Sequence, residues 1–155
     1  MDIAFADREN LTPNRIGQIR RLFEASGWTQ RQVDGQIGAL ERFLLDPNSA
    51  IFLAIEKGEI VGYSSVQFYS WNRLGQIHGL VVHPGFRQKG IGSQLVDQME
   101  QWLKTLPARG VYVDTPADNR VGIFFYLQLG YRQECVFSEY YDAGQDGIFF
   151  LKKFT

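Results

Sequence analysis

The residues best suited to chemistry begin with a basic, glycine-containing loop, Arg87-Gln88-Lys89-Gly90-Ile91-Gly92. It follows an apolar, β-type run from Ile77 to Val82 and a break at His83-Pro84-Gly85. It leads into a helical pattern from Ser93, in which Leu95, Val96, Met99, Trp102 and Leu103 recur. A strand, a glycine loop and a helix in succession aim backbone N–H groups at an anion. Arg87 and Lys89 add positive charge, and Gly90 and Gly92 let the backbone approach a ligand without a Cβ in the way. Two familiar phosphate cradles fail here. A P-loop needs lysine where Ile91 stands, and the dinucleotide fingerprint needs its third glycine where Leu95 stands. A tight strand-to-helix turn with no ligand would use the same two glycines, so the loop alone leaves both readings open.

Other titratable groups have their own alternatives. His78 lies on the strand before the loop, and an imidazole titrating near pH 6.5 suits a base at neutral pH. It can equally be a strand histidine satisfied by its neighbours. His83 belongs to the turn at the strand end. Cys135 falls in a predicted strand with no partner near it in sequence, so it is expected to be a buried, inert thiol.

The elements that must position these groups follow from pattern and punctuation. Asp2 to Ala6 is a short first strand. Thr12-Pro13 caps and opens a helix with Ile16, Ile19, Leu22 and Phe23 on its apolar face, ending near Ser26-Gly27. Thr29 caps a second helix through Val33, Ile37, Leu40, Phe43 and Leu44. Strands over Ala50–Glu56 and Ile60–Ser70 flank a turn at Lys57-Gly58, and a third spans Gln76–Val82. After the central helix come a strand over Val111–Thr115 and a helix through Ile123, Phe124, Tyr126 and Leu127. Gly130 fits that helix's end. A last hairpin joins Tyr131–Tyr141 to Gly147–Phe154. The order is β-α-α-β-β-β-α-β-α-β-β, a mixed sheet with helices on its faces, α/β or α+β in class.

Composition bounds the rest. The 155 residues predict a single domain over positions 1–155. The hydrophobic fraction of 45% and charged fraction of 21% are ordinary for a globular chain. A formal net charge of −1 gives no global field for nucleic acid or an anionic membrane. The single cysteine excludes an internal disulfide framework or a thiolate metal cluster, and no metal is expected. MDIAFADREN carries early acids and no long apolar core, so a signal peptide is not expected. No apolar run approaches the ~18 residues of a membrane span, and a cytoplasmic protein is the expectation.

The loop's context is more specific than the loop. Leu80-Val81-Val82-His83-Pro84 precedes Arg87-Gln88-Lys89-Gly90-Ile91-Gly92. Downstream stand Asn119 and Phe125-Tyr126-Leu127-Gln128-Leu129-Gly130-Tyr131. Together they resemble the GNAT superfamily of acetyl-CoA-dependent N-acetyltransferases, over most of the chain because the element order also matches. Within it the chain is closest in feel to the bacterial ribosomal-protein alanine and protein N-terminal acetyltransferases. The resemblance implies a splayed mixed sheet of about seven strands with about four helices on its faces. It implies acetyl-CoA as cosubstrate. The pantetheine arm would pair with the backbone of Leu80, Val81 and Val82, and the pyrophosphate would sit on Arg87, Gln88, Lys89, Gly90, Ile91, Gly92 and Ser93.

Acetyl transfer to an amine needs the amine deprotonated, a donor for the oxyanion, and a proton for the departing thiolate. The resemblance assigns the last role to Tyr126, near the sulfur, and contact with the pantetheine arm to Asn119. From residues alone, Tyr126 is equally an ordinary helix aromatic and Asn119 a helix cap. Asp114 matches the place of a catalytic glutamate in the ribosomal-protein branch, and His78 is its rival as base. Trp28, Tyr69, Trp71, Tyr140 and Tyr141 are the expected acceptor contacts, with Tyr140 and Tyr141 resembling the tyrosine pair of the N-terminal acetyltransferases. A protein or peptide amine is therefore the favoured acceptor, attacked directly in a ternary complex. A polyamine, aminosugar or drug is the alternative, and a non-catalytic acyl-CoA-binding module is the reading from another class. Relatives of this kind often dimerise, so a homodimer is among the expected assemblies.

Overall fold

The computed structural model describes residues 1–155. The elements follow the expected order: β1 (Asp2–Phe5), α1 (Pro13–Ala25), α2 (Gln30–Leu45), β2 (Ser49–Glu56), β3 (Glu59–Tyr69), β4 (Leu74–Val82), α3 (Ile91–Lys104), β5 (Gly110–Pro116), α4 (Arg120–Gln128), β6 (Arg132–Asp142) and β7 (Gln145–Lys153). A single 3-10 turn, Pro84–Phe86, lies between β4 and α3. The seven strands form one mixed sheet in the order β1-β2-β3-β4-β5-β7-β6. Its β4–β5 pair is parallel, while β1–β2, β2–β3, β5–β7 and β6–β7 are antiparallel. No helix is long and apolar enough to cross a membrane.

The chain divides into two units. The first comprises Met1–Gln67 and His78–Leu106. Its helices start where side chains can satisfy their first N–H groups. Thr12 accepts from Arg15 N ahead of Pro13, and Thr29 with Gln32 makes a reciprocal capping box. Ile19, Leu22 and Phe23 of α1 and Val33, Leu40 and Phe43 of α2 pack on Ile51, Leu53, Tyr63 and Val81 of the strands. Leu95, Val96, Met99 and Leu103 bury the inner face of α3. Gly62 lets α3 seat against the sheet, since a Cβ there would stand 3.0 Å from Leu95 Cδ1. Strand β2 is buried at six successive positions, as expected of a strand covered on both faces.

The second unit comprises Phe68–Ile77 and Pro107–Thr155. β5 and β7 run in continuous register from Gly110↔Lys153 to Pro116↔Gly147. Val111, Val113, Ile148 and Phe150 are buried there together with Tyr126 and Tyr131. β6 is the edge strand beyond β7, and ten of its eleven residues are exposed. Cys135 lies on it and is exposed, contrary to the buried thiol expected from sequence. Strand propensity reads a segment's conformation. It does not say whether the strand has neighbours on both sides.

Candidate active site

In the first unit, the glycine loop is built around one left-handed residue. Gly90 is the N-cap of α3 with φ 80° and ψ 6°, and it offers no side chain to the helix's first N–H groups. Those N–H groups carry the positive end of the helix dipole. α3 begins at Ile91, two residues before the start that the apolar periodicity suggests, because Ile91 itself is buried. Gln88 also adopts a positive φ of 62°, a rare conformation for a non-glycine residue. Left-handed backbone thus stands on either side of Lys89, and backbone anion nests are built from turns of this kind. Arg87 is exposed, and its Nε donates to Val82 O at 3.1 Å, folding the guanidinium back on the end of β4. Lys89 Nζ lies 5.1 Å from the centre of the Phe86 ring. His83 accepts from Gly85 N at 3.0 Å through Nδ1, which makes it a turn residue as the sequence suggests.

The preceding strand carries His78. Its Nε2 stands 3.0 Å from Gln67 Oε1. The Phe43 ring lies 5.2 Å away, and Gln36 Nε2 donates to the His78 carbonyl at 3.2 Å. Burial, then the positive Arg42, hold the imidazole below its usual pKa, so it is neutral at neutral pH. Its neighbour Gly79 faces a buried polar group, as a Cβ there would lie 3.1 Å from Ser65 Oγ and 3.3 Å from Gln36 Oε1. Pairing of β4 with β5 runs from Leu74↔Gly110 to Gln76↔Tyr112. Leu80, Val81 and Val82 lie past that ladder.

The second unit holds six tyrosines and the partly buried carboxylate of Asp114. Asp114 on β5 is partly buried, and Tyr141 Oη donates to its Oδ2 at 2.6 Å. That length marks a charge-assisted bond. Loss of water raises the Asp114 pKa, and the Tyr141 bond only partly offsets this. The Tyr141 phenol is pushed well above the usual tyrosine range, first by burial and then by the bond to Asp114. Tyr140 and Tyr112 are raised as well, by burial first, with the Asp114 charge among the further causes. Tyr69 Oη and Tyr112 Oη both donate to Gln76 Oε1, at 2.9 and 3.1 Å. Tyr126 on α4 is buried, with rings of Tyr131 and Phe150 at 5.5 and 5.9 Å. Burial and the Asp114 charge raise its pKa far above the usual value, which keeps the phenol a proton donor.

Some expected site residues have structural work of their own. Asn119 caps α4 by accepting from Gly122 N at 3.0 Å, and its Nδ2 donates to Thr115 Oγ1 at 3.0 Å. Trp28 stacks on Phe23 at 4.4 Å and 13°, against the core of the first unit. Trp71, by contrast, is 83% exposed. Sequence reading passed over Gln67, Gln76, Tyr112 and Gln36. The signal available for Gln67 and Gln76 was a glutamine inside an otherwise apolar strand, which needs a partner when half-buried. Nothing local marks Tyr112 or Gln36, whose partners lie 36 and 42 residues away.

The site thus joins a mixed α/β sheet to a helix whose first residue follows a left-handed glycine with no side-chain cap, directly after the fourth strand. The chain belongs to the acetyltransferase (GNAT) family, whose sequence model matches residues 15–131. Over 94 residues it is 39% identical to the aminoalkylphosphonate N-acetyltransferase of Salmonella typhimurium, a match covering 58% of this chain and 61% of that protein. It is 28% identical over 99 residues to the streptothricin acetyltransferase of Streptomyces lavendulae, covering 63% of this chain and 51% of that protein. The matches thus span between half and two thirds of those relatives' lengths. The crystal structure of a GNAT-family chain from Desulfovibrio desulfuricans superposes with a TM-score of 0.85 at 20% identity, covering 98% of this chain and 99% of that one.

Proposed function

We propose that residues 1–155 act as one acetyl-CoA-dependent N-acetyltransferase domain that moves an acetyl group to a primary amine by direct attack. The observation that carries this reading is the start of α3, where left-handed Gly90 and Gln88 leave a row of N–H groups for an anion. In this reading the N–H groups of Gln88 to Ser93, with Arg87 and Lys89, hold the diphosphate of coenzyme A. The backbone of Leu80 to Val82 holds the pantetheine arm as an added strand. The bound cosubstrate supplies an acyl group already activated as a thioester.

The chain's own residues then handle charge and protons. Asp114 attracts the acceptor's ammonium and takes its proton, directly or through a water. Its raised pKa makes it a better base than an ordinary aspartate. Tyr141 fixes the carboxylate through the 2.6 Å bond. Tyr126, kept protonated by burial, donates to the departing sulfur. His78, neutral at neutral pH, is the second candidate base. Asn119 steadies the α4 start and so acts on the pantetheine arm through position.

For the acceptor, a small cationic amine is favoured. The names of the two sequence relatives point to small amines, and the partly buried carboxylate of Asp114 offers a counter-charge to an ammonium. The exposed Tyr140 beside Tyr141, rings 4.9 Å apart, supports a peptide amine as the second reading. The test is release of free thiol from acetyl-CoA over a panel: aminoalkylphosphonate, aminosugar, polyamine and peptides with free α-amines. Turnover of small amines without peptides supports the first reading, and the reverse installs the second. Acetyl-CoA binding with no amine-dependent thiol release would make the chain a non-catalytic acyl-CoA-binding module.

A further inference from the structure

We infer that Gln76, held by Tyr69 and Tyr112, selects acceptor amines that carry a neutral oxygen a few bonds from the nitrogen. The inference rests on the reading above, in which Asp114 receives the amine. Tyr69, Gln76, Tyr112, Asp114 and Tyr141 all belong to the second unit.

Strand register brings the central three to one face. Gln76 is paired with Tyr112 at the end of the β4–β5 ladder, and directly opposed residues project to the same side. Asp114 follows Tyr112 by two residues, so its side chain stands on that side as well. Burial alternates accordingly. Gln76, Tyr112 and Asp114 are half-buried, while Ile77, Val111 and Val113 are buried. Pairing ends at Gln76, and Asp114 lies one side-chain step further along β5.

The carboxamide of Gln76 has a fixed orientation. Tyr69 Oη donates to its Oε1 at 2.9 Å and Tyr112 Oη at 3.1 Å. A carbonyl oxygen has two lone pairs, and the two phenols occupy both. The Nε2 end keeps two N–H donors, and no protein group accepts from it. It is not sealed from solvent. A half-buried donor pair, aimed by its neighbours and left without an acceptor, suits a ligand oxygen. Both phenols spend their protons on Oε1, so their own oxygens retain lone pairs for an incoming hydrogen. A ligand hydroxyl can therefore accept from Nε2 and donate to a phenol. An anionic oxygen would have to sit near the Asp114 charge, which disfavours it. The other anchor is Asp114, whose Oδ2 Tyr141 holds at 2.6 Å. Successive positions on one strand face lie roughly 6.5–7 Å apart. A ligand that reaches both groups thus carries its oxygen a few bonds from its amine, as a short amino alcohol does.

The test uses two amines of equal length, 3-methoxypropylamine and n-pentylamine. The ether oxygen only accepts hydrogen bonds, so it isolates the Nε2 donors. In thiol release from acetyl-CoA, the ratio of kcat/KM for the ether over the alkylamine should fall at least about fivefold from wild type to Gln76→Glu, the share of one hydrogen bond. Gln76→Glu still accepts from both phenols but offers no donor, and the basicity of the amines cancels in the comparison. Tyr112→Phe acts through Gln76 and should lower the same ratio partway, which a general loss of packing would not do. A second readout needs no turnover. The side-chain amide signal of Gln76 in a nitrogen-15 spectrum, identified by its loss in Gln76→Glu, should shift on adding 3-methoxypropylamine and hold still with n-pentylamine. If neither amine releases thiol while that signal shifts, acetyl transfer to small amines falls and the inference about Gln76 stands. An unchanged ratio in Gln76→Glu, or a Gln76 signal indifferent to the ether, overturns the inference; thiol release in the same experiment leaves acetyl transfer standing.

Discussion

Replacing Gly90 isolates what the helix start contributes. At φ 80° and ψ 6° this residue sits in left-handed space, where a Cβ costs about 1–2 kcal/mol. Steric clash adds nothing, because a Cβ at Gly90 would find only Gln94 Nε2, at 3.9 Å. The cost is therefore conformational, and it should rank by residue type. Gly90→Asn should be nearly silent, since asparagine tolerates this region. Gly90→Ala should lose about 1 kcal/mol, and Gly90→Val more, because branching at Cβ narrows its choices further. If the helix start rebuilds to relieve that strain, its N–H groups no longer converge, and acetyl-CoA should bind at least tenfold more weakly to the valine variant. Urea unfolding with and without acetyl-CoA measures both effects. Ligand at one hundred times its dissociation constant stabilises a protein by about 2.7 kcal/mol, and a tenfold loss of affinity cuts that to about 1.4 kcal/mol. Equal stability and equal affinity for glycine, alanine and valine at this position would refute the account of the loop.

Three further outcomes follow from the same geometry. Asp114→Asn should lower kcat/KM at least about 100-fold yet raise the melting temperature at pH 7.5. The folded-state pKa of Asp114 is raised by burial, so its charged form disfavours folding at neutral pH and the variant's advantage should shrink as pH falls toward 4. His78 behaves oppositely. Its folded pKa is lowered from 6.5, so the stability it contributes is present above that value and lost as pH falls through the folded pKa; His78→Gln should remove this acid-side slope in urea melts. Gly79→Ala should cost about 1–3 kcal/mol by overpacking, because its Cβ would press on Tyr63, Ser65 and Gln36; a melt within 0.5 kcal/mol of wild type, roughly the scatter of a surface change, would contradict that packing.

Much of the fold is legible in punctuation. Thr12-Pro13, Thr29, Lys57-Gly58 and Gly130 mark ends through local backbone chemistry, and each does so in the structure. The hairpin tip is tighter than the sequence suggests, with Asp142 pairing Gln145 across Ala143-Gly144. The glycine loop was legible because its φ requirement is local, although the positive φ of Gln88 has no signature in a glutamine. What stayed hidden depends on contacts between distant residues. Asp114 and Tyr141 are 27 positions apart, and neither residue type announces the other. The stacking of Trp28, an expected acceptor contact, on Phe23 is likewise a contact that no local signal announces. Cys135 is expected to be buried because it lies in a strand, and only the sheet order shows that the strand is an edge.

The central claim is that the start of α3 and the end of β4 receive acetyl-CoA. Amide hydrogen exchange with and without acetyl-CoA tests it most directly. Slower exchange confined to Leu80–Val82 and Gln88–Ser93 is the predicted result, while unchanged exchange in both stretches at saturating acetyl-CoA would contradict it.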